Sequence, residues 1–203
     1  MTETASPKGK SNRHIPIILF LVAGLPLIVA FIMYFTNTLV PEGRTNKGTL
    51  IIPPLSVEKL ELQLQHATES DTQGKWQLLV IGSQDCTSAL CREALYKARQ
   101  VNVALGREAG RVERRYINIG GALEEAGAEA FKDEYPRLHL SYSNRLALEV
   151  FLDRELEVNR VLEQSYIFIS DPLGNVMMYY TPENPGGDLL DDLKKLLKVS
   201  KIG

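Results

Sequence analysis

Residues Ile15 to Phe35 read IPIILFLVAGLPLIVAFIMYF, 21 residues without a charge. As an α-helix this stretch is about 31 Å long, enough to cross a hydrocarbon core of roughly 30 Å. Pro26 would damage a soluble helix, but a membrane span tolerates it. Tyr34 and Phe35 suit an interfacial end. A cleaved signal peptide is the competing reading. Its apolar region covers only about 7–15 residues and ends in a small-x-small site, and MYFTNTL offers no such site. An uncleaved transmembrane helix is therefore expected over 15–35, behind a cytoplasmic tail over 1–14. Lys8, Lys10 and Arg13 precede the run, and Arg44 and Lys47 follow it. Three positive charges against two favour the amino terminus inside. A linker over 36–50 and a domain over 51–203 are then expected outside the cytoplasm, as a single-pass protein of the cytoplasmic (inner) membrane with its C-terminal domain in the periplasm.

That placement bears on the cysteines. The chain has two, Cys86 and Cys91, both in GSQDCTSALC. In an oxidising compartment an even count points to a disulfide or a managed dithiol, whereas in the cytosol the same pair would point to a metal site. Nucleic acid is not an expected partner, because a net charge of -2 leaves no basic excess to neutralise phosphates.

The rest of the chain alternates strands and helices. TNTLVPEGRTNKG (36–48) is polar and turn-rich. LELQLQ (60–65) alternates with period two, as a strand does. ATESDTQGK is a loop, and WQLLVIG is a mostly apolar run of strand length, as expected for a buried central strand. Leu90, Ala94, Ala98, Val101 and Leu105 form a helical stripe. RVERRYINIG then reads as a strand, LEEAGAEAFKDEY as a helix, PRLHLSY as a short strand, and 144–157 as a helix. SYIFIS and VMMYY, joined by the turn DPLGN, read as a hairpin. GGDLLDDLKKLLKVSK is an amphipathic helix with Asp188 as its expected cap. The order predicts an α/β fold, a mixed sheet with helices on both faces, preceded by one N-terminal transmembrane helix.

Geometry limits the cysteine pair. In a regular helix, residues five apart have Cα atoms about 8.6 Å apart, and a disulfide needs less than about 7 Å. Cys86 is therefore expected in the loop before the helix and Cys91 in its first turn, with Ser88 or Thr87 as cap. The helix N-terminus would favour the Cys91 thiolate. That suits thiol exchange or a soft metal such as Cu(I). A purely structural disulfide is the alternative. Closing so short a loop is worth about 2 kcal/mol, against nearly 5 for a loop of 100 residues.

GKWQLLVIGSQDCTSALC, followed by a long helix and RVERRYINIG, resembles the core of the Sco family of thioredoxin-like proteins. YIFISDPLGNVMMYY is similar to that family's last hairpin. NKGTLIIPP and LYKARQVNVALGREAGRVERRY resemble a divergent bacterial relative associated with cytochrome oxidase assembly. The resemblance spans roughly residues 46 to 200. It implies a thioredoxin-like domain, membrane-anchored, that assists cytochrome c oxidase assembly by thiol or copper handling. Oxidase subunits or other assembly factors would be its partners, with Cys86 and Cys91 as redox pair or disulfide. It also implies a non-enzymatic factor rather than an enzyme. A thiol-disulfide oxidoreductase and a non-catalytic scaffold remain the alternatives.

The chain departs from the family pattern in ways that bear on the metal. Four residues separate its cysteines where the family has three, and Thr87 and Arg92 stand in place of prolines. The family's copper-binding histidine falls in LEVNRVLEQS, which has none. A carried-over copper site would therefore rest on Cys86 and Cys91. His14 belongs to the cytoplasmic flank and His66 follows the alternating strand. His139 is expected as a surface histidine opposite Leu138, Leu140 and Tyr142, with a ligand role as the sharper alternative. Met177 and Met178 are expected in the core. Thioredoxin-like enzymes carry a cis-proline where this chain has Gln164 and Ser165. Arg107, Arg111, Arg114 and Arg115 are expected as a solvated face, or as a lipid or partner contact.

Overall fold

A computed structural model describes residues 14–36, 45–65, 74–83 and 86–200. Residues 1–13 of the expected tail, His66 and most of the expected linker lie outside them. Contacts divide the chain into two units, Met1–Thr45 and Asn46–Gly203. The first contains α1, His14–Thr36, with Pro26 inside it. Within it, Pro16–Thr36 is long and apolar enough to cross a membrane. Carbonyls left free by such a proline can be met by neighbouring groups within a bilayer.

The second unit is built on one seven-stranded sheet. Its strands are β1 (Thr49–Ser56), β2 (Gln63–Leu64), β3 (Trp76–Gly82), β4 (Val112–Ile119), β5 (Leu138–Ser143), β6 (Ile167–Ser170) and β7 (Asn175–Tyr180). Their order is β1-β7-β6-β3-β4-β5-β2. The pairs β3–β4 and β4–β5 are parallel, and β3–β6, β6–β7, β1–β7 and β2–β5 are antiparallel. Among the described residues the α-helices of this unit are α2 (Ala89–Ala104), α3 (Glu125–Glu134), α4 (Arg145–Leu152), α5 (Val158–Gln164) and α6 (Gly186–Val199).

Every residue of β3 is buried, which explains a sequence that is apolar except for Gln77. Alternate strand residues feed two cores. On one face Leu78, Val80, Tyr116, Ile167 and Ile169 pack with Leu95 of α2, Phe131 of α3 and Leu193 of α6. On the other, Leu79, Ile81, Ile117 and Phe168 pack with Leu148 and Phe151 of α4 and Val161 of α5. The expected mixed sheet with helices on both faces is what forms.

Four local expectations are corrected. The strand read over 60–65 shrinks to Gln63–Leu64, because Val57–Leu60 is a 3-10 turn that buries Leu60 and ends on Glu61 with φ 48°. The first long strand is instead β1, which contains Pro53 and Pro54. Proline is tolerated there because β1 is an edge strand and its register shifts between Leu50 and Leu55. The helix read over 144–157 ends at Leu152, where Asp153 and Arg154 both have positive φ, and a separate α5 follows. At α6 the cap position is held by Pro185, and Asp188 lies in the first turn.

The expected solvated arginine face does not form. Successive residues of β4 point to opposite sides, and both sides are covered. Arg114 and Arg115 are each only 4% exposed. Arg115 bonds Gln77 and Ser141, and Arg114 donates to the Pro136 carbonyl. Arg111 is half-buried and donates to the carbonyls of Leu197 and Ser200. Of the four arginines only Arg107 is exposed.

Candidate functional site

The cysteines flank the start of α2. Ser88 has extended backbone, and its hydroxyl accepts from the Cys91 amide at 3.1 Å. Cys91 is thus the third residue of the helix, and Cys86 precedes the cap with φ 50°. This turn brings the two Cα atoms to 5.3 Å, and the sulfurs are bonded to each other. A straight helix through both residues would hold them too far apart.

Gly82, the last residue of β3, makes room for the pair. A Cβ there would lie 3.0 Å from the Tyr116 hydroxyl and 3.2 Å from Cys91 Sγ. Tyr116 itself stacks on Phe131 at 5.3 Å between ring centroids. Tyr116 and Phe131 belong to the same buried core as the two cysteines and link β4 to α3. Nothing in the spacing of the cysteines pointed to Tyr116 or Phe131. The glycine that closes a buried strand just before a cysteine loop was the one available signal.

Both cysteines are buried, Cys86 at 3% and Cys91 at 2% exposed. They differ in access. A cleft of about 190 Å³ between α2 and α3 reaches Cys86 and Thr87, with Arg92, Phe131, Glu134 and Tyr135 among its walls. Cys91 is not part of its lining. Burial, and then Glu134, push the Tyr135 phenol up, so it stands at the cleft as a neutral hydroxyl.

His139 is elsewhere. It pairs in register with Arg115, and its ring nitrogen lies 3.3 Å from Glu113. Glu113 also takes Lys75 at 2.6 Å. Burial alone would raise Glu113, but Lys75 and His139 outweigh it and hold the carboxyl below its ordinary value. This group sits near the amino-terminal ends of the parallel strands, whereas the disulfide lies past their carboxyl ends. The fold brings Cys86 and Cys91 together and does not bring His139 to them. Among the described residues, no three of His, Cys, Asp and Glu converge to hold a metal ion. Met178 is buried in the core and Met177 packs against it. Where thioredoxin-like enzymes have a cis-proline, Ser165 ends α5 with φ 51°; it is buried, and its hydroxyl has no partner.

If the disulfide contributes through loop closure, its loss has a defined size. Replacing both cysteines by serine is expected to lower the stability of the full chain by about 2 kcal/mol relative to the oxidised protein. Denaturant unfolding in an uncharged detergent would read this as a lower midpoint.

A sheet of this order, with a cysteine pair between its central strand and the next helix, defines a thioredoxin-like protein. Residues 76–200 match the sequence family described as transmembrane-like, thioredoxin-like, C-terminal domain, and the chain belongs to that family. Its fold is that of the Sco structures. Yeast Sco1 aligns at TM-score 0.55 and 14% identity, over 76% of this chain and 98% of that one. Copper-bound ScoI from Arabidopsis thaliana aligns at 0.52 and 15%, over 75% and 99%. BsSco, in which a disulfide switch is described and whose family is that of cytochrome c oxidase assembly proteins, aligns at 0.52 and 14%, over 76% and 98%. No curated protein sequence matches the chain.

Proposed function

We propose that this chain is a single-span, extracytoplasmic thioredoxin-like factor that assists cytochrome c oxidase assembly through thiol chemistry at Cys86 and Cys91. The observation that carries the reading is the cysteine pair itself, bonded across the cap of α2 and open to a cleft on the Cys86 side. The described disulfide switch of BsSco, on the same fold, supports it. The apolar helix Pro16–Thr36 supports anchoring, and a disulfide suits an oxidising compartment.

The exchange runs as follows. A thiolate of a partner dithiol attacks Cys86 Sγ, and the Cys86–Cys91 bond breaks. Cys91 leaves as a thiolate at the positive end of α2, where first-turn amides stabilise it. The second partner thiolate then attacks the mixed disulfide and displaces Cys86. The partner has lost two electrons and become a disulfide, while Cys86 and Cys91 have gained them and taken up two protons. The reverse sequence reduces a partner disulfide. Cys91→Ser in the full chain is expected to accumulate a mixed disulfide through Cys86, visible on non-reducing gels. Cys86→Ser should trap far less, because the cleft does not reach Cys91. Equal trapping by the two variants would overturn this order of attack.

Copper is the second activity proposed for the pair. Only the reduced form could hold it, with Cys86 and Cys91 giving a soft ion two thiolates. Among the described residues no His, Asp or Glu joins them as a third ligand. The reduced full chain is expected to bind a single Cu(I), and either single serine variant to lose it in competition with a chromogenic chelator. Unchanged binding in the double serine variant would remove the cysteines from the copper site. A structural brace is the second functional reading, and the burial of both sulfurs favours it.

A further inference from the structure

Lys75, Gly110, Glu113, Arg114 and Arg137 line a second cavity, of about 200 Å³, at the amino-terminal end of β3 and β4. That is more than ten times the roughly 15 Å³ that a single water needs. Its charge is unbalanced. Three of these side chains are cations, and the one acid, Glu113, is already engaged by Lys75 and His139. Arg114 and Arg137 enter no ion pair among the described residues. Arg114 is 4% exposed. Its Nη2 donates to the Pro136 carbonyl at 2.6 Å, and its Nη1 is buried without a partner. The adjacent Arg137 is exposed, with φ 63°. Burial, and then the positive fields of Arg137 and Arg99, hold the Arg114 guanidinium below its ordinary value against a smaller opposite pull from Glu113, which forms no ion pair with it.

A buried guanidinium without a counter-charge is costly. Here two guanidiniums without acid partners share the wall of one cavity, and an anion placed there would compensate them. We propose that this cavity binds a phosphate-type oxyanion, held by Arg114 and Arg137 with Lys75 beside them. Guanidiniums suit this ligand because their planar N–H fork matches two phosphate oxygens. The anion is either a free phosphate or the headgroup of an anionic lipid. The cavity and the disulfide lie at opposite ends of the parallel strands, so this site stands apart from the thiol reading.

Thermal unfolding of the full chain tests it. In an uncharged detergent, inorganic phosphate should raise the midpoint saturably beyond chloride of equal ionic strength. In nanodiscs of zwitterionic lipid, a rise with added phosphate identifies a free anion. A rise confined to discs containing phosphatidic acid identifies a headgroup. Arg137 is exposed, so Arg137→Ala should fold, and it should weaken the half-saturation by roughly tenfold or more, the loss of a charge-assisted bond. Arg160→Ala, on α5, should change nothing. The proposal is overturned if neither probe gives a saturable rise, or if Arg137→Ala responds as the wild type does.

Discussion

Asp192→Ala is expected to lower the stability of the full chain by about 4 kcal/mol, because two buried donors and one half-buried donor lose their acceptor at once. Asp192 is 2% exposed on α6. Its Oδ2 accepts from the Lys47 amide at 2.5 Å, the Gly48 amide at 2.9 Å and the Tyr180 hydroxyl at 3.0 Å. One carboxylate thus fastens the residues just before β1 to the last helix, some 145 positions away in sequence. Gly48 is required for this closeness, since a Cβ there would lie 2.4 Å from the Tyr180 ring. Lys195 also reaches the carboxylate at 3.2 Å, but its side chain is half exposed and adds little. Thermal denaturation should show the midpoint of Asp192→Ala falling by roughly 10 °C. Asp192→Asn keeps an acceptor and should lose about half as much.

The same carboxylate gives a signed pH dependence. Burial alone would raise Asp192, but the amides of Gly48 and Lys47, with Lys195 and Tyr180, outweigh it and lower the group. A carboxyl depressed in the folded state contributes fully above its ordinary value of about 4 and loses that contribution as the pH falls toward the folded value. Stability should therefore fall on the acid side in the wild type, and more shallowly in Asp192→Ala. Tyr180 does not interfere, because burial, and then Asp192, push its phenol far up and keep it a donor.

Much of this fold was legible in the sequence because its signals are strong where burial is complete. WQLLVIG is apolar except for Gln77, and its strand is buried on both sides. The stripe from Leu90 to Leu105 marks α2, and the cap at Ser88 placed Cys91 in the first turn. Less legible were the places where tertiary context overrides local pattern. Pro53 and Pro54 disguise β1, since only a sheet edge can accommodate them. The apparent helix over 144–157 is broken by two residues with positive φ, Asp153 and Arg154, and neither is a glycine. RVERRY reads as a charged surface, but its strand is central, so Arg114 and Arg115 find partners inside. The pairing of the cysteines could be anticipated from spacing and cap. Their aromatic neighbours could not, because Tyr116 and Phe131 reach the site through sheet and helix packing. Nor could local sequence tell that β5 would carry His139 at the opposite end of the strands.

Thiol-dependent oxidase assembly is tested most directly by oxidase activity in a strain lacking this protein, complemented with the full chain or with its Cys86→Ser/Cys91→Ser variant. Both proteins must accumulate to the same level, which the modest expected loss of stability allows. Deletion is expected to abolish cytochrome c oxidase activity while other extracytoplasmic disulfides still form. The wild type should restore the activity, and the double serine variant should leave it at the level of the deletion. Full restoration by the serine variant would contradict thiol chemistry as the working mechanism, and an oxidase untouched by deletion would contradict the assembly role itself.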